Sequence, residues 1–177
     1  MAGKEGPYER FERETGEYWG AAYGLIYRMV RSKDTAEDVL QDTLIRAMKS
    51  YDKLRDADKV KSWLLRIAHN TTLNHLRRAK NTVPVDFVED LGTLDIRDAD
   101  SKSSPVEEAV TKKDEGAWVE KLIQRLPPIY TEIILLRYKE GLSYKELADT
   151  IGIPMSSVKF RLHQGVKLLK EKIGKKF

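Results

Sequence analysis

Cysteine is absent from this sequence of 177 residues, and histidine occurs only three times. The absence of cysteine excludes disulfide bonds, thiolate zinc ligands and a cysteine nucleophile. No apolar run approaches the roughly 20 residues that a membrane-spanning helix requires. The N-terminus carries alternating charges where a secretory signal would have an apolar stretch. We therefore expect a cytoplasmic protein whose stability comes from packed apolar cores.

Groups that could form a catalytic or metal site are also scarce. His69 and His75 are six residues apart, which places them on different faces of a helix, and His163 is isolated. Three carboxylates occur close together, but without a nucleophile or a phosphate-binding loop nearby: Glu37, Asp38 and Asp42. The sequence thus predicts no catalytic residue, no metal and no cofactor, and we expect a protein that is not an enzyme.

Charge is distributed unevenly along the chain. Residues 1–80 carry 16 basic and 12 acidic side chains, whereas residues 81–111 carry two basic and eight acidic ones. Residues 112–177 are basic again, with 14 basic and eight acidic side chains. Two basic segments joined by an acidic one are typical of two surfaces that face a polyanion and a connector that avoids or imitates it. A solvated linker that is acidic by chance is the simpler alternative.

Apolar spacing at three and four residues predicts three helices in the first 80 residues. The first extends from about Gly16 to Arg31, and the third begins near Asp58. The second follows Asp34 or Thr35, either of which can cap its free N–H groups. The apolar positions expected on these helices are Tyr23, Ile26, Tyr27 and Val30; then Ala36, Val39, Leu40, Thr43, Leu44 and Ala47; then Val60, Trp63, Leu64, Ile67, Ala68, Thr71, Leu73 and Leu76.

Periodicity is lost between Asn81 and about Pro105, which indicates a linker, and helical spacing resumes after it. Pro127 ends one helix, and Pro128 can open the next, which we expect to end at Gly141.

The segment LSYKELADTIGIPMSSVKFRL, residues 142–162, has the spacing of a helix-turn-helix. Ser143 and Glu146 form a capping box, and the small Ala148 allows a second helix to cross closely. Gly152 suits a turn with positive φ, and Ser156 or Ser157 is expected to cap the second helix. The expected shared core is Leu147, Ile151, Ile153, Val158, Leu162 and Val166, and the outer faces carry Ser157, Lys159, Phe160, Arg161, His163 and Gln164. A plain helical hairpin remains the alternative.

These motifs resemble those of the extracytoplasmic-function sigma factors of bacterial RNA polymerase. The stretch from LPPIYTEIILLRY to VKLLKEKI resembles their region 4, which reads the −35 promoter element. Two segments of the first half resemble parts of their region 2. The part that binds the polymerase is resembled by AEDVLQDTLIRAMKSYDKL, and the part that opens and reads the −10 element by KSWLLRIAHNTTLNHLRR. The resemblance implies an all-α fold of two small helical domains. These are a region 2 bundle (residues 1–80) and a region 4 helix-turn-helix domain (112–177), joined by an irregular acidic linker (81–111).

The resemblance also implies roles for exposed residues of the first domain. Residues facing the polymerase would be Asp38, Gln41, Asp42 and Arg46, although a solvated helix face is the default for such charges. The −10 element would be bound by Trp63, Asn70, Asn74, Arg77 and Arg78. Asn70 corresponds to the position that helps to hold a flipped base, which its carboxamide can do because it both donates and accepts. Trp63 fits a core anchor better than a base-stacking platform.

In the second domain, the resemblance places Lys159, Phe160, His163 and Gln164 at base-reading positions and Arg161 at phosphate, with Ser157 in the same interface. Gly165 stands where alanine or a larger residue is usual, which should weaken the helix slightly.

The implied partners are the polymerase core, promoter DNA and an inhibitory anti-sigma factor. The core would be contacted at the clamp coiled coil of its largest subunit and the flap of the second largest. Membrane contact is expected only through a membrane-bound anti-sigma factor. A helix-turn-helix regulator that binds an operator without polymerase is the competing interpretation.

Overall fold

The computed structural model describes residues 6–79 and 119–174, and all regular elements in these ranges are helical. The chain divides into two compact units. The first is built from α1 (Pro7–Thr15), α2 (Trp19–Val30), α3 (Lys33–Ser50) and α4 (Val60–Ala79). The second is built from α5 (helical residues 119–123), α6 (Pro128–Tyr138), α7 (Tyr144–Ile151) and α8 (Met155–Gly174). The predicted acidic linker, residues 81–111, lies outside the described residues.

Helix α1 is an element that the apolar spacing did not predict. Pro7 occupies its first turn, where a missing N–H costs nothing, and the Glu9 carboxylate accepts a 2.9 Å hydrogen bond from the Gly6 N–H. A short 3₁₀ turn, Gly16–Tyr18, leads directly into α2. The chain therefore contributes a further helix to the first domain, ahead of the three expected ones.

The turn between α2 and α3 is built from two residues. Arg31 adopts a left-handed conformation (φ 58°, ψ 19°), and its N–H donates to the Tyr27 carbonyl at 2.8 Å, which ends α2. Ser32 then caps α3, because its hydroxyl oxygen accepts from the Thr35 N–H at 3.4 Å. The prediction that Asp34 or Thr35 caps this helix is therefore wrong, since both lie within its first turn.

The core of the first domain lies where α2, α3 and α4 pack together. The predicted stripe of α3 is largely confirmed, with Leu40 and Leu44 half-buried and the other members buried: Ala36, Val39, Thr43 and Ala47. The face predicted for α2 is confirmed only in part. Ile26 is buried as predicted, but Tyr27 is exposed. Ala22 and Leu25, which were not predicted, are buried. Because α2 is apolar on most sides, its spacing alone does not identify the inner face.

Helix α4 buries a partly different set of residues from the one predicted. Val60, Leu64, Ala68 and Thr71 are buried as expected. The other predicted positions are half-buried: Trp63, Ile67, Leu73 and Leu76. The core also takes up Leu65, His69 and Thr72, and Thr72 satisfies its hydroxyl by donating to the Ala68 carbonyl at 2.7 Å. Packing on several sides explains these additions, because α4 contacts α1 as well as α2 and α3.

The turns of the second domain follow the predicted signals. Pro128 is at the start of α6, and both Gly141 (φ 75°) and Gly152 (φ 78°) have the positive φ that glycine tolerates. The Ser143 hydroxyl accepts from the Glu146 N–H at 3.3 Å, and the Glu146 carboxylate accepts from the Ser143 N–H at 2.8 Å. The capping box is thus confirmed.

The start of the second helix of the motif differs from the prediction. Helix α8 begins at Met155, so Ser156 and Ser157 lie within its first turn and do not cap it. Leu147, Val158 and Leu162 are buried as predicted, with Ile151, Ile153 and Val166 half-buried. Helix α8 packs against α6 and buries Gly165 in this contact.

Candidate nucleic-acid interface

One face of α3 is polar and points to solvent. Its residues are exposed and recur at three- and four-residue intervals, which places them on adjoining positions of the helix surface: Asp38, Gln41, Asp42 and Arg46. The same side of α3 also exposes two apolar residues, Ile45 (50% exposed) and Met48 (40%). The sequence interpretation missed both, although their position outside the buried stripe was a usable signal. Exposed apolar groups beside charges are typical of a protein-binding surface.

A second exposed face lies on α4. Asn70, Asn74 and Arg78 are four residues apart and exposed, and Arg77 is exposed beside them. Arg66, four residues before Asn70, extends the same row and was not predicted. The face combines carboxamides, which can donate to and accept from base edges, with guanidinium groups suited to phosphate. This combination is chemically suited to single-stranded or opened DNA.

Trp63 lies near the start of α4 and is half-buried against an aromatic neighbour. Its ring centroid is 5.8 Å from that of Tyr51, with an angle of 57° between the rings. The Tyr51 ring packs edge to face against the Phe11 ring of α1, with 5.4 Å between the ring centroids. The centroid of the Phe11 ring lies 6.4 Å from that of the Trp19 ring. These four residues are named the aromatic cluster. The cluster supports the interpretation of Trp63 as a packed side chain, while its remaining surface stays accessible.

A hydrogen bond connects the aromatic cluster to the charges of α1. The Tyr51 hydroxyl donates to the Glu14 carboxylate, which also accepts from Arg10 and Arg13 at 3.2 Å each. The hydrogen bond from Tyr51 and the two nearby guanidinium groups hold the pKa of Glu14 below its usual value. Partial burial and the Glu14 carboxylate raise the pKa of Tyr51 to about 12.

Helix α8 presents the candidate recognition face of the second domain. Lys159 and His163 are exposed, one turn apart, and the adjoining positions are half-buried: Phe160, Arg161 and Gln164. The expectation that Ser157 lies on an outer face is wrong, because it is only 8% exposed. The helix begins at Met155, which makes Ser157 an inner residue of the first turn, next to the fully buried Val158.

Arg137 fixes the loop that leads into the helix-turn-helix. Its guanidinium donates to the Leu142 carbonyl at 2.8 Å and lies 5.1 Å from the centroid of the Tyr144 ring. Tyr144 is the first residue of α7 and is 41% exposed. The entry to the motif is therefore held by a cation–π contact and a charge-assisted hydrogen bond together. The sequence interpretation did not single out either residue.

Within residues 6–79 and 119–174, no three histidine or acidic side chains come together in a group that could hold a metal ion. In the same ranges, no helix has the length and apolar character that crossing a membrane requires.

Two helical domains, one with exposed polar faces and one with a helix-turn-helix, define a class of DNA-binding transcription proteins. Residues 16–82 match the family described as Sigma-70 region 2, and residues 116–169 match Sigma-70, region 4. The chain is 30% identical over 173 residues to the ECF RNA polymerase sigma factor SigW of Bacillus subtilis, covering 96% of this chain and 92% of that protein. It is also 30% identical over 176 residues to the ECF RNA polymerase sigma-E factor of Haemophilus influenzae, covering 96% and 90%.

Among solved structures, the fold is similar to that of the sigma factor RpoE in complex with the anti-sigma factor NepR from Bartonella quintana. The TM-score is 0.64 at 22% identity, over 94% of this chain and 98% of that one. The chain belongs to the ECF family of RNA polymerase sigma factors. Its function is to direct core polymerase to promoters and initiate transcription. Matches to both regions favour this function over that of an operator-binding regulator, and the all-α, two-domain prediction is confirmed.

Proposed function

We propose that the two exposed faces of the first domain have separate roles in a sigma factor, one in binding polymerase and the other in binding promoter DNA. The α3 face would bind the clamp coiled coil of the largest polymerase subunit through Asp38, Gln41, Asp42 and Arg46, with Ile45 and Met48 adding apolar contact. The α4 face would bind the opened −10 element through Trp63, Asn70, Asn74, Arg77 and Arg78, with Arg66 added from the structure. In this proposal residues 1–80 form the first functional domain.

The second domain, residues 112–177, would read the −35 element with α8. Lys159 and His163 are exposed and can reach the major groove, and Phe160 and Gln164 adjoin them on the next row. Arg161 would contact phosphate. Ser157 is left out, because its side chain is buried.

Regulation by an anti-sigma factor is a further part of the proposal. The structure of RpoE was determined with its anti-sigma factor NepR, and that chain shares the fold of this one. An inhibitor that covers the α3 face would prevent polymerase binding directly. A stress signal that releases such an inhibitor would then activate transcription, from the cytoplasm and without an enzymatic step. The polymerase core would also be contacted at the flap of its second-largest subunit.

The observation that carries the proposal is the pairing of an exposed α3 face with a well-formed helix-turn-helix in one chain. The test is promoter binding with and without core polymerase. Specific binding should require the core, because the −10 face acts only on opened DNA. Equally specific binding by the chain alone would instead indicate a regulator that recognises an operator.

A further inference from the structure

Helix α1 lies ahead of residue 16, where the match to region 2 begins, yet it packs tightly on the first domain. Phe11 is 2% exposed and meets the Tyr51 ring edge to face. Thr15 is fully buried, donates to the Phe11 carbonyl at 2.8 Å and accepts from the Trp19 indole N–H at 2.9 Å. Through these contacts, α1 packs against the rest of the first domain and forms one side of the aromatic cluster.

Tyr51 is held from three directions by residues of α1. Phe11 contacts its ring edge to face, and the Arg10 guanidinium lies 5.8 Å from its centroid. Glu14 accepts the hydrogen bond of its hydroxyl. Tyr51 also contacts Trp63, so the position of the Trp63 ring depends on a tyrosine whose orientation α1 fixes.

Trp63 is close to the exposed face of α4. It precedes Asn70 by seven residues, about two helical turns, which puts the two side chains on the same side of the helix. Trp63 is half-buried, whereas Asn70 is exposed. A half-buried indole at the edge of a polar face can stack on a base or wedge between bases only if its orientation is maintained.

We propose that α1 positions Trp63 for opening of promoter DNA, acting through Tyr51, with Glu14 as the residue that fixes Tyr51. The inference rests on the proposed role of the α4 face. Tyr51 and Glu14 are positioning residues, since neither is expected to touch DNA. Without the hydrogen bond, the Tyr51 ring gains rotational freedom and Trp63 loses a defined support. Strand opening should then slow, while initial binding of duplex promoter is retained.

The test uses the full chain with core polymerase and a promoter selected from a random duplex library by transcription with this holoenzyme. Tyr51→Phe keeps the aromatic ring and removes the hydroxyl, and Glu14→Gln removes the charged acceptor. The control is Glu12→Gln, which removes the same charge from an exposed position about 200° around α1 from Glu14. Binding affinity is measured by fluorescence anisotropy, and opening by 2-aminopurine placed in the −10 element.

Tyr51→Phe and Glu14→Gln should open the promoter about three- to tenfold more slowly, as loss of one hydrogen bond implies, with affinity for the closed duplex within about twofold. Glu12→Gln should open it at the normal rate. A promoter already mismatched in the −10 element should restore the two slow variants, because its strands need no separation. Urea unfolding of each variant shows whether the fold is intact.

The outcomes separate this inference from the function on which it rests. If Trp63→Ala opens the promoter slowly while Tyr51→Phe and Glu14→Gln open it normally, the positioning role is overturned and the α4 assignment stands. If Trp63→Ala itself opens the promoter normally, the assignment of Trp63 to the −10 interface fails, and the positioning role with it. Equal losses in closed binding and in opening would also overturn the inference, because they would indicate general destabilisation.

Discussion

Gly165 on α8 faces Ile134 on α6 so closely that neither helix has room for another carbon between them. A β-carbon at position 165 would lie 2.8 Å from Ile134 Cδ1 and 3.2 Å from Tyr130 Cβ. The glycine that should weaken the helix by its backbone freedom is therefore required for close packing of α8 against α6.

Gly165→Ala should destabilise the second domain by about 1 kcal/mol, because overpacking (about 1–3 kcal/mol) exceeds the gain in helix propensity of about 1 kcal/mol. Ile134→Val removes the clashing Cδ1. The double variant should therefore lose less unfolding free energy than the two single variants lose together, by at least about 0.5 kcal/mol. Urea unfolding measures both values. Gly20→Ala is the control, since a β-carbon there has no neighbour within 4 Å, and it should not destabilise the protein. If the effects of Gly165→Ala and Ile134→Val on the free energy of unfolding are additive, the steric explanation is contradicted.

Changing Asp38 and Gln41 together to alanine should weaken binding of core polymerase about tenfold or more, as expected at the centre of an interface. Both side chains are exposed, so helical content should not change. Glu37→Gln is a matched control on the same helix, since Glu37 is exposed and pairs only loosely with Lys33 at 3.8 Å. Unchanged core affinity of the double variant, measured by titration with labelled protein, would refute the assignment of this face.

Phe160→Ala and Gln164→Ala should each cost about 1–3 kcal/mol at the matched promoter, because each removes a base-edge contact. Binding to unrelated DNA of the same length should change little. Competition assays with the two DNAs, carried out at one fixed salt concentration, measure the difference. Equal losses on both DNAs would show that these side chains contact only the backbone.

Asn70→Ala should impair open-complex formation more than initial promoter binding, because its contact exists only after a base has left the stack. A decrease of about five- to tenfold in the opening rate corresponds to the loss of one hydrogen bond of roughly 1 kcal/mol. A promoter mismatched at the flipped position should recover part of the defect. Full activity of the variant on an ordinary duplex promoter would exclude Asn70 from this role.

The hydrogen bond between Tyr51 and Glu14 predicts pH dependence at both ends of the scale. The lowered pKa of Glu14 stabilises the fold above the ordinary value of 4.5, and this contribution is lost as the pH falls through the lowered pKa. Tyr51 has its pKa raised from 10.0 to about 12, so its contribution is complete below pH 10 and is lost as the pH rises towards 12. The free energy of unfolding is measured as a function of pH for each variant. Glu14→Gln should reduce its dependence on pH in the acid range, and Tyr51→Phe should reduce it in the alkaline range. A pH dependence identical to that of the unsubstituted protein would contradict this linkage.

The sequence was sufficient to predict those parts of the fold that depend on local signals. The capping box of Ser143 and Glu146 and the positive φ of Gly152 follow from side chains within a few residues of each other. The contacts of α1 could not be predicted in this way, because Glu14 and Tyr51 are 37 residues apart and only packing brings them together. The inner face of α2 was predicted only in part, because apolar residues surround this helix and packing alone decides which of them are buried.

The same distinction between local signals and long-range packing applies to the candidate interfaces. Spacing along one helix predicted the exposed row of α3, because such a row depends on helical geometry alone. The exposed residues of α4 were expected from the family resemblance. The burial of Ser157 escaped prediction, since it depends on where α8 begins, and that start was placed too late. Arg137 and Tyr144 escaped as well, because their contact spans the turn between two helices.

The half-burial of Phe160, Arg161 and Gln164 has a consequence for the thermodynamics of promoter recognition. Side chains restricted by neighbouring protein atoms have fewer rotamers to lose when they contact DNA, whereas the free Lys159 and His163 must give up more conformational entropy. The row of Phe160 and Gln164 should therefore bind with a small ordering cost and discriminate sharply between base pairs. Lys159 and His163 should tolerate more variation in the bases they meet.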